Sequence, residues 1–233
     1  YSLSANGTLT ATSTLSLDLH TPDSTALTGH VVDAQGVAQP FADVQIYAYT
    51  GAGPLGYFDE YVQAGPEGEF SMSRVPQGRV KIVATSPSGD DVGVLHVTAS
   101  AATTDVEVRY GTGVSTDYSL FGSNGLVVAL TDVASMNGGG TSTTWGPLSD
   151  TYEGYLVGDY ICCDYYPALD NNGRQLTFGP IEEGSGLFIT RKVLMPEDGR
   201  FVRYLEIVEN TTGIPRQVTV DVDANSQAPA SSA

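Results

Sequence analysis

The chain has 233 residues, enough for one large β-domain or two modest ones, each with its own core. Its 27 acidic and 10 basic residues give a net charge of −17, which argues against nucleic acid or an anionic membrane as a partner, since either would repel it. No segment approaches the roughly 20 apolar residues that cross a bilayer, so we expect no membrane insertion.

The two ends of the chain bear on where it functions. It begins with Tyr1 rather than Met, which suggests that a signal sequence or a larger precursor has been removed, or that this is an excised piece. It ends in Gln227-Ala-Pro-Ala-Ser-Ser-Ala233, a composition typical of a flexible tail. We therefore expect an extracellular or cell-surface location.

Residues 8–19 alternate between apolar and polar side chains, as in a half-buried strand. Burying one leucine stabilises a protein by roughly 1.5–3 kcal/mol, so the apolar face of this strand must be covered. It can pair within its own chain, or it can add to a neighbouring subunit, which would give a filament if repeated head to tail. The leucines of this assembly strand are Leu9, Leu15, Leu17 and Leu19.

From residue 27 to residue 110, short alternating segments are separated by Gly- and Pro-containing turns such as Gly65-Pro-Glu-Gly68 and Pro87-Ser-Gly89. This pattern is typical of an antiparallel sandwich. The core residues that the alternation predicts are Val31, Val44, Ile46, Phe70, Val80 and Ile82.

The pattern resets near Gly111-Thr-Gly113, where we place a domain boundary. The sequence thus predicts an all-β chain of two tandem antiparallel β-sandwich domains with an N-terminal strand. The predicted units are residues 1–26 (strand and linker), 27–111 (first sandwich), 112–225 (second sandwich) and 226–233 (tail). The clearest strands of the second sandwich are Gly125–Asp132, Gly154–Cys163, Leu187–Met195, Phe201–Glu209 and Arg216–Asp223.

Residues 27–110 carry Gly29-His-Val31-Val-Asp33, Pro40-Phe-Ala42-Asp-Val44, Glu67-Gly68-Glu-Phe70 and Val75-Pro76-Gln-Gly78-Arg-Val80. On these residues the segment resembles the carboxypeptidase regulatory-like domain, a transthyretin-like β-sandwich. The resemblance implies a fold and little about activity, because such domains serve as spacers, stalks and accessory modules in secreted proteins.

The second half carries Gly186-Leu-Phe-Ile-Thr-Arg191-Lys192 and Arg203-Tyr-Leu-Glu206-Ile-Val-Glu-Asn210. On these residues the segment 118–225 is similar to the front portion of galactose-mutarotase-like sandwiches and to some bacterial surface proteins. The resemblance implies a β-sandwich on a secreted protein.

Catalytic patterns are not found. The three histidines are His20, His30 and His96, and the acids that follow the first two by three positions would face the opposite side of a strand. No Gly-x-Ser-x-Gly elbow lies between a strand and a helix. We therefore expect that the chain is not an enzyme.

Calcium, a possible cofactor, requires several oxygen ligands. Asp170-Asn-Asn-Gly173 could contribute, although Asn-Gly more often marks a hairpin turn. Asp221 and Asp223 alternate, so both carboxylates share one strand face and could hold a cation or face water. Asp170, Asp221 and Asp223 are accordingly the candidate metal ligands.

The most unusual local sequence runs from Gly154 to Tyr166 and contains two adjacent cysteines. A bond between adjacent cysteines requires a distorted turn, because their Cα atoms are only ~3.8 Å apart. The alternative is two free thiols in a strand. The candidate ligand-binding residues, which could stack on a sugar ring, are Tyr155, Tyr160, Cys162, Cys163, Tyr165 and Tyr166.

Together these features predict an extracellular structural or adhesive subunit that acts through β-sandwich surfaces. It would associate with copies of itself or with neighbouring surface proteins, and it could assemble into a filament by strand addition. The alternative is a carbohydrate-binding accessory region of a larger secreted hydrolase, with glycans as ligands.

Overall fold

The computed structural model describes residues 23–49, 57–103, 105–115, 118–125, 127–130, 136–140, 152–156, 159–160, 166–182, 186–199, 201–217 and 220–224. Every regular element in these residues is a β-strand, which confirms the predicted all-β class. None of the described segments is a helix of the length and hydropathy that a bilayer crossing requires. The predicted N-terminal strand at residues 8–19 and the tail lie outside the described residues.

The first sandwich is built from seven strands in two sheets. Its strands are β1 (Ser24–Val32), β2 (Asp43–Tyr49), β3 (Tyr57–Gln63), β4 (Glu69–Pro76), β5 (Gly78–Thr85), β6 (Val92–Ala99) and β7 (Val106–Arg109). One sheet has the order β4-β1-β7 and the other the order β3-β2-β5-β6. All pairs are antiparallel except that of β1 with β7, which is parallel.

The core of the first sandwich lies between these two sheets. All six residues that the alternation predicted are buried: Val31, Val44, Ile46, Phe70, Val80 and Ile82. The turn before β4 needs glycine, because Gly68 has a φ of +75° and a Cβ there would lie 2.6 Å from the carbonyl oxygen of Val31. The first sandwich therefore follows the period-two pattern of its sequence.

The second half of the described chain forms three further sheets. Its strands are β8 (Ser119–Phe121), β9 (Val127–Leu130), β10 (Met136–Gly140), β11 (Tyr152–Leu156), β12 (Asp159–Tyr160), β13 (Ala168–Asp170), β14 (Gln175–Glu182), β15 (Leu187–Leu194), β16 (Arg203–Asn210) and β17 (Val220–Ala224). The sheets have the orders β10-β9-β8, β12-β11-β17 and β13-β14-β15-β16.

A second hydrophobic core separates the four-stranded sheet from β8 and β9. Its buried residues are Leu120, Val128, Leu130, Leu176, Phe178, Val193 and Met195. The same face of the sheet carries a buried ion pair, in which Arg191 Nε lies 2.5 Å from Glu206 Oε1. These two layers form the second sandwich, and the predicted division of the chain near Gly111 stays a prediction.

One predicted strand is wrong in detail. Residues 154–163 do not form a single strand, because β11 ends at Leu156 and β12 begins at Asp159, and the two pair antiparallel. Tyr155 lies opposite Tyr160, so the chain reverses direction between these two residues. The continuous apolar and aromatic run of this segment concealed the reversal of direction.

Candidate functional site at the junction of the sandwiches

The two sandwiches meet on the outer face of the β3-β2-β5-β6 sheet. Val83 on β5 and Val92 and Val94 on β6 point away from the first core, and all three are buried. They form a separate hydrophobic cluster with Ala168, against which the half-buried Tyr47 and Tyr166 pack. We call this cluster the junction. The first core covers one face of β5 and the second sandwich covers the other, so five consecutive residues of that strand, Val80–Ala84, are buried.

The chain that crosses from one sandwich to the other is hydrogen-bonded to both. The Thr112 hydroxyl accepts from the Val94 amide at 2.9 Å and donates to the Arg109 carbonyl at 2.7 Å. The Leu169 amide donates to the Thr112 carbonyl at 2.8 Å. Thr112 is thus bonded to the last strands of the first sandwich and to β13 of the second.

An ion pair lies at the edge of the junction. Arg79 Nη2 on β5 is 2.5 Å from Glu209 Oε1 on β16. The same guanidinium stands over the ring of Phe188 on β15, 4.9 Å from its centroid, in a cation–π contact. The hydrogen bond from Arg79 lowers the pKa of Glu209 below its usual value, and the same bond raises the pKa of Arg79. One arginine therefore contacts two strands of the other sandwich.

Beside this ion pair the two sandwiches enclose a cleft of about 270 Å³. Its floor is the outer face of β5 and β6, and Pro180 on β14 contributes one wall. The register of β5 and β6 places Arg79 opposite Thr98 and Lys81 opposite His96. Lys81 is only 4% exposed, whereas His96 and Thr98 are exposed. We call this the basic cleft.

The structure brings three of the sequence-predicted site residues together by register. Tyr155 on β11 lies opposite Tyr160 on β12 and opposite Asp221 on β17. Asp223 lies opposite Glu153, two positions from Tyr155, so it shares that face of the sheet. The register thus aligns two of the four predicted sugar-binding tyrosines with one of the predicted metal ligands, and a second predicted metal ligand lies two positions along β17.

The other four predicted ligand-binding residues are not placed in the β12-β11-β17 sheet. Tyr166 packs in the junction, and Cys162, Cys163 and Tyr165 lie outside the described residues. The role predicted for the cysteines stays a prediction.

Asp170 is the last residue of β13, immediately before the connection to β14, and its Oδ2 accepts a hydrogen bond from Thr177 Oγ1 at 3.1 Å. Asn171, Asn172 and Gly173 all have positive φ there, as expected for a tight turn. Among the described residues, no group of three or more His, Cys, Asp or Glu side chains could hold a metal ion. At Asp170 the structure therefore shows the hairpin turn, the alternative to a cation loop.

The His30 and Asp33 pair does not converge, as expected for two residues three apart on a strand. His30 Nδ1 instead lies 2.9 Å from Asp105 Oδ1, at an exposed position. The Asp33 carboxylate accepts from the amides of Gln35 and Val37 and so stabilises the turn after β1. Both side chains have structural roles in the first sandwich.

The junction and the basic cleft were missed by sequence reasoning, although a signal for the junction exists. If the outer face of this sheet were exposed to solvent, the residues of β5 and β6 on that face would be polar. Val83, Val92 and Val94 are apolar at those positions, which indicates that a second layer covers the sheet. The sequence carries no comparable signal for the ion pair of Arg79 with Glu209, because the two residues are distant along the chain.

Comparisons with known proteins add little. No protein-family profile matches the sequence, and no curated protein matches it either. The resemblance to the carboxypeptidase regulatory-like family therefore stays a proposal. Among solved structures, the chain is similar to a proposed carbohydrate-binding protein from Bacteroides uniformis, with a TM-score of 0.26 and 9% identity over 82% of this chain and 100% of the other.

Proposed function

We propose that this chain is a structural subunit of an extracellular or cell-surface protein and that it acts through its surfaces and not through catalysis. The observation that carries this proposal is the junction between the two sandwiches. Domains within one chain move relative to each other unless their interface is large and hydrophobic. A stiff pair of sandwiches suits a spacer or stalk, which must hold other groups at a fixed distance.

Three kinds of contact support stiffness at the junction. The buried valines Val83, Val92 and Val94 pack against Ala168 and exclude water from the interface. Thr112 is hydrogen-bonded to both sandwiches, which restricts the connecting chain. The ion pair of Arg79 with Glu209 adds a directional contact at the edge. Together they resist both hinge bending and rotation.

The free edge of β16 supports a route to assembly. Among the described strands β16 is the last in its sheet, and Leu205 and Ile207 are 38% and 39% exposed on one of its faces. An exposed apolar edge strand is a site at which another strand can add. The proposed occupant is the assembly strand, residues 8–19, of a neighbouring copy.

The start of the described chain is connected to β16 through β5. The carbonyl oxygen of Asp23 accepts a hydrogen bond from the Gln77 amide at 2.8 Å, and Arg79, two residues further on, contacts Glu209 on β16. We therefore propose that the assembly strand starts on the side of the first sandwich that contacts β16. Only residues 20–23 separate the assembly strand from β1, and a short connection favours exchange of a strand between copies over closure on the same chain.

Deletion of residues 1–20 tests this route. A stable, soluble monomer that no longer assembles is the expected product. An unfolded product would mean that the strand pairs within its own chain. Unchanged stability together with unchanged assembly would contradict both arrangements.

The double variant Leu205→Lys with Ile207→Lys tests the acceptor edge. We expect loss of assembly without loss of folding, because both side chains are exposed and lysine blocks edge pairing. Val37→Lys is the matched control, since Val37 is 59% exposed in the first sandwich. Equal effects of the two changes on sedimentation would contradict a role for β16.

The non-catalytic part of the proposal has its own test. Purified protein is expected to show no turnover of peptide, ester or glycoside substrates. Hydrolysis that disappears when one acidic residue is changed would overturn it.

A second function, glycan binding, is favoured by one observation. The register of β12, β11 and β17 puts Tyr155 opposite Tyr160 on one side and opposite Asp221 on the other. Aromatic rings beside a carboxylate form a usual combination in ligand sites, where the ring supplies area and the acid fixes orientation. Binding of a monomer on a glycan array, lost in Tyr155→Ala, would support this function over the structural one.

A further inference from the structure

The basic cleft concentrates positive charge in an acidic protein. The chain has a net charge of −17 and only 10 Lys and Arg residues. Arg79, Lys81 and His96 nevertheless line the same cleft. A concave site lined by cationic side chains focuses the local field and attracts anions, although Glu209 offsets the charge of Arg79 at the edge of this cleft. The cleft is therefore a candidate anion site that the structural role does not require.

The positions of its donor groups suit an oxyanion. Arg79 faces Thr98 and Lys81 faces His96 across two adjacent strands, so the four side chains share one face. Opposite residues in such a ladder have Cβ atoms about 4.5–5.5 Å apart. Residues two apart along a strand are separated by about 7 Å. The resulting rectangle allows donors to approach a carboxylate or a sulfate from more than one side.

The donors are held in place before a ligand arrives. Arg79 is fixed by Glu209 and by the ring of Phe188, and among the described residues its other N–H groups make no hydrogen bond. Lys81 is 4% exposed, so a ligand can reach its ammonium group only from the cleft. Lys81 and His96 also interact with other groups of the protein. A ligand and these groups can share the ammonium group of Lys81, because it has three N–H donors.

The size and the apolar part of the cleft limit the ligand. A volume of about 270 Å³ accommodates one sugar-sized unit. Val97 and Pro180 supply apolar surface beside the donors. Small-molecule sites combine apolar walls with a few placed polar groups in this way.

We propose that the basic cleft binds an oxyanion group carried by a sugar-sized unit, either the carboxylate of a uronic acid or a sulfate ester. Lys81 supplies the positive charge, Arg79, Thr98 and His96 contribute hydrogen bonds, and Pro180 contacts the ring. This site is separate from the β12-β11-β17 sheet and does not depend on the proposed assembly.

Histidine resonances give a direct test, because the full chain has only three histidines. Galacturonate is titrated while the carbon-bound protons of the imidazole rings are followed by NMR. We expect one resonance to move, namely the one that is missing from the spectrum of His96→Gln. Glucose 6-sulfate is expected to move the same resonance, and neutral galactose to leave all three in place.

Two outcomes would overturn the proposal. No movement of the His96 resonance with galacturonate or with glucose 6-sulfate would show that the cleft does not bind them. Equally tight binding of acetate or of inorganic sulfate would show that the cleft takes a free ion and does not recognise a sugar.

The affinity of single-residue variants for galacturonate then shows which side chains contribute to binding. Lys81→Met keeps the buried stem and removes the charge, and we expect the affinity for galacturonate to fall by about tenfold or more, as for loss of a hydrogen bond to a charged group. Arg74→Met is the control, because it removes the same charge from an exposed position on β4. Equal weakening by the two would indicate an effect of net charge and contradict a site in the cleft.

Thr98→Val keeps the test valid if Lys81→Met fails to fold. Thr98 is exposed, so the change should not affect folding, and circular dichroism checks this. We expect a fewfold loss of affinity, since one hydroxyl donor is removed. Unchanged affinity in both Thr98→Val and His96→Gln would overturn the assignment.

Discussion

Arg79 and Glu209 are 130 positions apart in the sequence, and they form an ion pair between the two sandwiches with an N–O distance of 2.5 Å. The hydrogen bond from Arg79 lowers the pKa of Glu209 below its usual value of 4.5. The carboxylate is thus more acidic in the folded protein than in the unfolded chain. This relationship couples the junction to pH.

The first prediction concerns acid. Because the folded pKa of Glu209 lies below the unfolded value of 4.5, its contribution to stability is present above pH 4.5 and is lost as the pH falls through the folded pKa. Glu209→Gln should therefore lower the melting temperature slightly at pH 7 and have no effect near pH 2. The pair is exposed, so the effect at pH 7 is small and weakens in high salt.

Thermal unfolding of both proteins between pH 2 and pH 7 measures this difference. Glu67→Gln is a suitable control, since this carboxylate lies in an exposed turn of the first sandwich. A difference between Glu209→Gln and the parent protein that is the same at all pH values would contradict the coupling.

The second prediction concerns the first core. Ile46 is fully buried between the two sheets of the first sandwich. Ile46→Ala should lower the free energy of unfolding by roughly 2–4 kcal/mol, because it removes buried methyl groups and leaves a cavity. Val37→Ala, at a position 59% exposed, should change it by less than about 0.5 kcal/mol. A negligible change in the urea midpoint of Ile46→Ala would show that the core is misassigned.

The third prediction separates backbone strain from crowding at two glycines. Gly68 and Gly89 have φ angles of +75° and +80°, so alanine is strained at both. At Gly89 nothing lies within 4 Å of an added Cβ, whereas at Gly68 the Val31 carbonyl oxygen lies at 2.6 Å. We expect Gly89→Ala to lower the free energy of unfolding by about 1–2 kcal/mol and Gly68→Ala to lower it by clearly more. Equal losses would rule out the crowding at Gly68.

The fourth prediction concerns Tyr110. Its hydroxyl is buried and has no hydrogen-bond partner among the described residues, and burial raises its pKa to about 12, with smaller contributions from Asp91 and Asp43. The folded pKa lies above the unfolded value of 10.0, so the protein loses stability as the pH rises from 10 towards 12. Tyr110→Phe should remove this loss.

Urea unfolding at pH 8 and pH 11 tests the prediction for Tyr110. At pH 8 we expect Tyr110→Phe to be as stable as the parent protein or more stable, since the change removes an unsatisfied buried hydroxyl. A loss of more than about 1 kcal/mol at pH 8 would indicate that the hydroxyl is hydrogen-bonded in solution.

The sequence predicted the features that depend on local pattern. Alternation identified the six core positions of the first sandwich, because successive side chains of a strand point to opposite faces. The turn chemistry of Asp170-Asn-Asn-Gly173 favoured a hairpin over a cation site, and the positive φ angles there agree. Both inferences use residues close together in the chain.

Features that depend on pairing over long distances could not be predicted in this way. Alternation shows that a strand has two faces but not which strand lies beside it, so the parallel pair of β1 and β7 was not foreseen. The same holds for the alignment of Tyr155 with Asp221 and for the contact of Arg79 with Glu209. The candidate sites all lie where such distant strands meet.

Electron microscopy of the native material tests whether the protein assembles, because it reveals polymers without assuming a ligand. We expect ordered polymers of regularly repeated, rigid two-domain subunits, which are absent when residues 1–20 are deleted. Dispersed monomers in the native material, together with two lobes whose relative orientation varies from particle to particle, would contradict both the assembly and the stiff junction.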